Sequence, residues 1–216
     1  MLKLIQIDDA GSGSLLGGTI IGVLRVETEE YFYRVIPLQL YQGEAFQNKS
    51  YIDYVVTIIN ELFNHLRVSK DEEIKVCRGY MFDSLNKWLK ENNYNYITTK
   101  IKDPLQTLVE KTFDDYAIKL GLPTTYINYT KYPFHFHRIL KWVYADYENR
   151  SRLCKTGWKS WNKYKDLKPI IKEENVKNKD WLCLKCNKPI PRNTIAAVKA
   201  YTSNRHYKIF LHRECI

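Results

Sequence analysis

The sequence predicts an α/β fold: a mixed five-stranded sheet with flanking helices, plus a small zinc-binding module at the far end. Three observations predict it. Apolar residues alternate in LKLIQI and recur in the β-branched run TIIGVLRV, then switch to helical spacing from Tyr51 onward. Short connections join the first three strand-like runs, whereas amphipathic segments of helical length separate the later ones. That pattern suits an antiparallel meander followed by parallel crossovers. Finally, two close pairs of Cys and His residues lie within the last ~35 positions.

Taken in order, Leu2–Ile7 is the first strand and runs into Asp8-Asp9. Gly11–Gly18 is a turn and Thr19–Val26 the second strand. Tyr31–Leu40, YFYRVIPLQL, is a third strand bent at Pro37, since proline cannot donate to a ladder. From Tyr51 to Leu66, Ile52, Val55, Val56, Ile59, Leu62, Phe63 and Leu66 fall on one helical face. Glu73–Cys77 is a short strand, Asp83–Asn92 a helix with Leu85, Trp88 and Leu89 on its apolar side, and Tyr94–Ile101 a fifth strand. Pro104–Leu120 is an amphipathic helix with Asp103 as its cap, stopped by Gly121 and Pro123.

The composition then changes. Residues 1–122 make the α/β domain, 123–172 a basic aromatic extension and linker, and 173–216 a cysteine-bearing module. Within the extension, Phe134–Tyr147 has helical character and Lys168–Asp180 reads as a polar linker.

At 216 residues and 44% hydrophobic, the chain can build a core. Its 34 Lys and Arg exceed its 24 Asp and Glu, for a net charge of +10. Such a surplus favours a polyanionic partner, with nucleic acid first among them. No apolar run reaches the roughly 18–20 residues of a membrane helix, and no secretory signal follows Met1, so the expected location is cytoplasmic. Five cysteines, an odd number, suggest metal binding and free thiols rather than a disulfide framework.

Asp8-Asp9 followed by glycines admits two readings, a phosphate cradle or a metal site. A dinucleotide loop sets its glycines between a strand and a helix. Here they lie between two strands, and no Walker Lys-Ser/Thr pair is present. Asp8 and Asp9 end a strand and point to opposite faces. Carboxylates suit Mg²⁺ or Mn²⁺, and two such ions stabilise the attacking and leaving oxygens of phosphodiester hydrolysis. Small residues after the acids would let a phosphate backbone approach. A strand-ending turn, where Asp and Gly are common, is the plainer account.

The run Ile7-Asp8-Asp9-Ala10-Gly11-Ser12-Gly13 resembles the Asp-Glu-Ala-Gly-Arg-Gly signature of type II ribonucleases H. The element order resembles the ribonuclease H-like fold, shared by RuvC-type resolvases, transposases and the YqgF family. The likeness covers roughly residues 1–122. It implies a catalytic acid at Asp8, a second at Asp9, and a final-helix acid at Asp114 or Asp115, with Glu110 one turn earlier. The fourth-strand acid of that superfamily has no counterpart: EIKVC ends in Cys77, and Asp83 is the nearest acid beyond it. Asp83 also suits a helix cap. Acid-Ala-Gly-Ser-Gly between strands resembles, in addition, the phosphate loop of the actin, hexokinase and Hsp70 superfamily. Those proteins need two such domains, and no second copy follows residue 122.

Cys183-x2-Cys186 and His212-x2-Cys215 form the two ligand pairs, with a hairpin between them made from IAAVKAY and HYKIFL around Ser203-Asn204. Four thiolate and imidazole ligands suit a structural Zn²⁺ with no open position. The pattern resembles a treble-clef or LIM-like knuckle.

Arg150, Arg152, Lys155, Trp158, Lys159, Trp161 and Lys163 mix cations with aromatics, as a nucleic-acid contact surface does. A helix with Trp158 and Trp161 on one buried face explains the same spacing. His135 and His137 read as satisfied imidazoles, and Cys77 and Cys154 as buried small hydrophobes.

The favoured function is metal-dependent cleavage of nucleic-acid phosphodiesters, with structural zinc and catalytic Mg²⁺ or Mn²⁺. A homodimer is an arrangement common among resolvases of this fold. The alternative is a non-catalytic nucleic-acid-binding or assembly module that keeps the fold with an incomplete site.

Overall fold

A computed structural model describes residues 3–216; Leu2, expected to open the first strand, lies outside the described residues. The chain divides into two units. The first runs through Gly13 and adds Gly17–Leu120 and Lys155–Gly157. The second comprises Ser14–Leu16, Gly121–Cys154 and Trp158–Ile216.

In the first unit the order is β1 (Leu4–Ala10), β2 (Thr19–Arg25), β3 (Glu30–Ile36), α1 (Gly43–Gln47), α2 (Ser50–Leu66), β4 (Glu73–Cys77), α3 (Asp83–Glu91), β5 (Tyr96–Thr99) and α4 (Leu105–Lys119). The sheet order is β3-β2-β1-β4-β5. The first three strands run antiparallel, while β1–β4 and β4–β5 are parallel. This is the expected mixed five-stranded sheet with flanking helices.

Alternation along β1 sorts the two faces. Ile5 and Ile7 join Ile21, Val23, Ile74 and Val76 in one core layer with Ile52, Val55, Ile59, Leu62 and Phe63 of α2 and Leu85 and Leu89 of α3. Helix α4 packs on β1 and β2 through Leu105, Val109, Phe113 and Ala117, a buried stripe at every fourth residue. Leu105, Val109 and Phe113 each contribute roughly 1.5–3 kcal/mol by burial. Helix α4 starts one residue later than the sequence predicts, with Pro104 rather than Asp103 at the cap position, although Asp103 Oδ1 still accepts the Thr107 N–H at 3.3 Å.

Two glycines of the opening turn are fixed by packing. Gly11 has φ +85°, and a Cβ there would stand 2.1 Å from the Phe113 ring. At Gly18 a Cβ would stand 2.0 Å from the Ile36 carbonyl oxygen. The expected third strand is shorter than its sequence run: β3 ends at Ile36, and Leu38–Tyr41 turns as a 3₁₀ helix after Pro37.

The second unit holds α5 (Thr124–Tyr129), α6 (Phe136–Ala145), α7 (Tyr147–Arg150), α8 (Lys159–Tyr164), β6 (Ile170–Asn175), β7 (Trp181–Leu182), β8 (Pro189–Ile190), β9 (Ile195–Thr202) and β10 (His206–Leu211). Strands β10-β9-β6 form an antiparallel sheet, and β7 pairs with β8. The β9–β10 hairpin is the one the sequence predicts. The expected linker is different: Lys168–Asp180 contains β6, which pairs with β9 from Ile170 to Asn175. Its mixed charges hid a strand at the sheet's edge, where one side of the ladder meets water. Arg150 is buried at 7% exposure and donates to Trp142 O (2.8 Å), Leu184 O (2.6 Å) and Lys185 O (3.0 Å). The residues set apart in sequence at 123–172 and 173–216 are thereby held in one unit.

No helix among the described residues is long and apolar enough to cross a membrane.

Candidate functional site

Asp8 and Asp9 lie on the last turn of the β1 pleat and face opposite ways, as strand geometry requires. Asp8 pairs in register with Gly22 of β2, whose missing side chain lets Val109 of α4 approach; a Cβ there would stand 2.4 Å from it. Asp8 is therefore on the α4 side. It is 6% exposed, and its Oδ1 accepts the Asp9 N–H at 2.8 Å.

Three groups act on the Asp8 carboxyl. Burial pushes its pKa above the usual range. The neighbouring Cys77 thiol and the Asp9 N–H oppose that rise, while the Glu110 charge adds to it. Cys77 ends β4, one step beyond the Ile7–Val76 pair. Burial and then the Asp8 carboxylate push its thiol up to about 12, so it remains protonated. The half-buried Cys77 was expected to be an inert core thiol; its pairing with Asp8 was not visible from EIKVC alone.

On α4, Gln106 donates to Glu110 Oε1 at 3.1 Å. One turn later Asp114 is half-buried, and its carboxyl is raised by burial, then by Asp115 and Glu110. Glu110 is thus the acid electrostatically linked to both Asp8 and Asp114. Asp115 is exposed. Asp83 opens α3 at the surface, where a first-turn acid suits the helix dipole, and is not among the charges acting on Asp8.

Asp9 belongs to the other face. Burial raises its pKa, a hydrogen bond from Ser12 opposes this, the Asp8 charge adds to it, and the Lys155 charge lowers it. Lys155 is fully buried and donates from Nζ to Gly11 O at 2.6 Å and to Thr19 Oγ1 at 3.2 Å. Its ammonium also lies 4.5 Å from the Tyr41 ring centroid. The glycine turn is thus closed by protein groups: a lysine on its carbonyl and the Phe113 ring against Gly11.

In the second unit, Cys183, Cys186, His212 and Cys215 bring their ligand atoms within 4.8 Å of one another, an arrangement that can hold a metal ion. Local geometry builds it. Cys183 N–H bonds Lys188 O at 2.9 Å, and Asn187 turns the chain with φ 61°. His212 Nε2 donates to Pro189 O at 3.0 Å, because a carbonyl can only accept. That leaves the Nδ1 lone pair facing Cys186 Sγ, 3.2 Å away. Burial raises the Cys183 thiol, but N–H groups of Cys186, His212 and Lys185 outweigh it and bring it down to about 7. Among the described residues this is the group of three or more Cys, His, Asp or Glu side chains whose ligand atoms converge.

The basic aromatic segment separates into two sets. Arg150, Lys155 and Trp161 are buried, the two cations occupied by the carbonyl bonds given above. Trp161 stacks on Tyr147 at 6.2 Å with planes 5° apart. Arg152, Lys159 and Lys163 are exposed, and Trp158 is half-buried. The residues predicted as one contact surface are thus partly interior, because helix α8 turns Trp161 inward. His137 accepts or donates with Ser203 Oγ at 3.0 Å, within a ring cluster of Phe136, Tyr164 and Tyr207.

No family model and no curated protein matches this sequence. Among solved structures, the catalytic core domain of BIV integrase is similar over 61% of this chain and 75% of its own, at 16% identity and a TM-score of 0.35. No residue role is carried over from it, and the functional reading rests on the side chains around Asp8 and Cys183.

Proposed function

We propose that the protein is a divalent-metal-dependent nuclease acting on nucleic-acid phosphodiesters, with Asp8 as the principal metal ligand and Glu110 and Asp114 completing its surroundings. The observation that carries this is the Asp8–Glu110 relationship. A nearly buried carboxylate on β1 feels the charge of the exposed Glu110 on α4, Glu110 in turn acts on Asp114, and no cation balances them in that set. Such repulsion fits Mg²⁺ or Mn²⁺, which bind through one or two carboxylates and leave positions for phosphate oxygens. Bound there, the ion supplies charge neutralisation at the phosphate and a more acidic water. Asp8 is held for that role by the Asp9 N–H, and Gln106 orients Glu110. Asp9, on the far face with Lys155, and Asp83 and Asp115, which are not among the charges acting on Asp8, are weaker candidates. For the Cys183 cluster we take the ion to be structural Zn²⁺, on the grounds of its three thiols and one imidazole. Arg152, Trp158, Lys159 and Lys163 remain as polymer contacts.

One observation favours a second reading. Cys77 occupies the β4 position where an acid would complete the site, and it remains a neutral thiol. A nucleic-acid-binding module without cleavage accounts for this. Labelled branched, hybrid and single-stranded substrates incubated with Mg²⁺ or Mn²⁺ decide between them. Cleavage lost in Asp8→Asn supports the nuclease; binding with no cleavage by the unsubstituted chain supports the module.

A further inference from the structure

An aromatic cleft lies within the second unit, walled by α5, α6 and the strands that flank Cys183. It encloses about 470 Å³, within the range of small-ligand sites. Its walls are aromatic: Tyr126, Tyr129, Trp181 and Phe210 all line it. Trp181 and Phe210 stack with centroids 4.2 Å apart and planes at 20°. Tyr129 stands 86% exposed at the rim.

Lys141 of α6 lines the same cleft. It is half-buried and has no acidic partner among the described residues. The charges acting on it are Arg138, Arg205 and Lys179, all cations; burial and then their repulsion bring its ammonium down to about 8. Asp180, also in the wall, is exposed, its Oδ1 accepts the Arg192 backbone N–H at 2.8 Å, and it is not among the charges acting on Lys141. A withdrawn cation among cations calls for an anion, and a ring-lined cleft calls for a flat apolar group.

We propose that this cleft binds a nucleobase together with its phosphate, the ring against the Tyr129 and Phe210 wall and the phosphate on Lys141. The proposal deepens the nucleic-acid reading above by taking an unpaired nucleotide of a strand as the occupant; a free nucleotide has the same chemistry. The metal cluster shapes the site as well, since Pro189, whose carbonyl receives the His212 N–H, belongs to the wall.

The test uses the full chain and fluorescence anisotropy of a labelled single-stranded oligonucleotide, as DNA and as RNA. Unlabelled duplex and adenosine monophosphate serve as competitors. Lys141→Ala and Tyr129→Ala should each weaken strand binding about ten-fold or more, the scale of one lost stacking or phosphate contact. Lys87→Ala, which removes a charge 79% exposed on α3, should leave it unchanged. Tyr129 is too exposed for its loss to unfold the chain, so its effect reports the cleft itself. Unchanged affinity in both cleft variants, or duplex bound as tightly as single strand, overturns the cleft while leaving the nuclease reading in place. Lys141-dependent binding of adenosine monophosphate with the strand excluded supports the cleft and overturns the nucleic-acid reading. Failure to bind either ligand removes both.

Discussion

The Cys77 thiol, at the end of β4, acts on the Asp8 carboxyl of the neighbouring strand and favours its ionised form, while its own hydrogen points to Arg78 O at 3.6 Å. The relationship places sulfur where a second carboxylate would give a divalent cation two strand-borne ligands. Cys77→Asp should therefore set two like charges side by side. Without divalent ions the variant should melt several degrees lower, on the scale of ~1 kcal/mol per 4–8 °C for a small domain. Saturating Mg²⁺ should raise its melting temperature more than that of the unsubstituted chain, by ligand linkage. Equal Mg²⁺ responses in the two proteins would show that β4 does not face the metal.

Asp8 also makes stability depend on pH. Its folded pKa is raised above the ordinary 3.8, chiefly by burial. The sign follows: the neutral carboxyl is favoured in the folded state, so its contribution is fully present below 3.8 and is lost as pH rises through the elevated value. Asp114, also raised chiefly by burial, acts in the same direction. Metal-free protein should thus lose stability as pH climbs above the usual carboxylate range. Asp8→Asn should flatten that slope in urea melts taken across it, and Mg²⁺ should flatten it in the parent.

Lys155 should behave in the opposite sense. Burial brings its pKa from 10.5 down to about 7 although the Asp9 charge opposes the drop, so the folded state disfavours its charged form. Stability should rise between about pH 7 and 10.5, the interval in which the unfolded chain alone holds the proton. Lys155→Met should remove that rise. It should also cost about 1–3 kcal/mol at neutral pH, because Gly11 O and Thr19 Oγ1 lose a donor inside the protein. Paired with Asp9→Asn, the two changes should fall short of additivity in denaturant titrations, as coupled neighbours do.

Removal of the ion from the Cys183 cluster should be the most damaging change to the second unit. A strong chelator should release about one zinc per chain and abolish the near-ultraviolet signal of the stacked Trp181–Phe210 pair. Cys186→Ala should do the same without chelator. Purified protein with no bound zinc would contradict the assignment.

These sites were unevenly legible in the sequence. Strand β4 and helix α3 were recognisable almost to the residue, because EIKVC alternates and Leu85, Trp88 and Leu89 keep helical spacing. The Cys183–Cys186–His212–Cys215 cluster was visible because its residue pairs are local: a two-residue gap already brings two sulfurs together. Strand β6 was not, since an edge strand of IIKEEN needs no apolar alternation when β9 covers only one side of its ladder. The glycine turn suggested a phosphate approach, whereas Gly11 and Gly18 make room for Phe113 and the Ile36 carbonyl, neighbours set by tertiary packing. Arg150, Lys155 and Trp161 looked like surface because a cation in sequence carries no sign of the carbonyls that await it. Glu110 was distinguishable from Asp115 only once α4 had a fixed rotation on β1.

The first unit takes in Lys155–Gly157, with the Gly157 N–H on Tyr41 O at 2.9 Å and a Cβ at Gly157 reaching within 2.4 Å of Phe46. A ribosome must therefore translate well past Thr99, where the first unit's last strand ends, before this layer can be sealed. Nascent chains arrested at Leu120 should expose the Tyr41–Phe46 surface to chaperones, and those arrested some tens of residues beyond Gly157, clear of the exit tunnel, should resist protease.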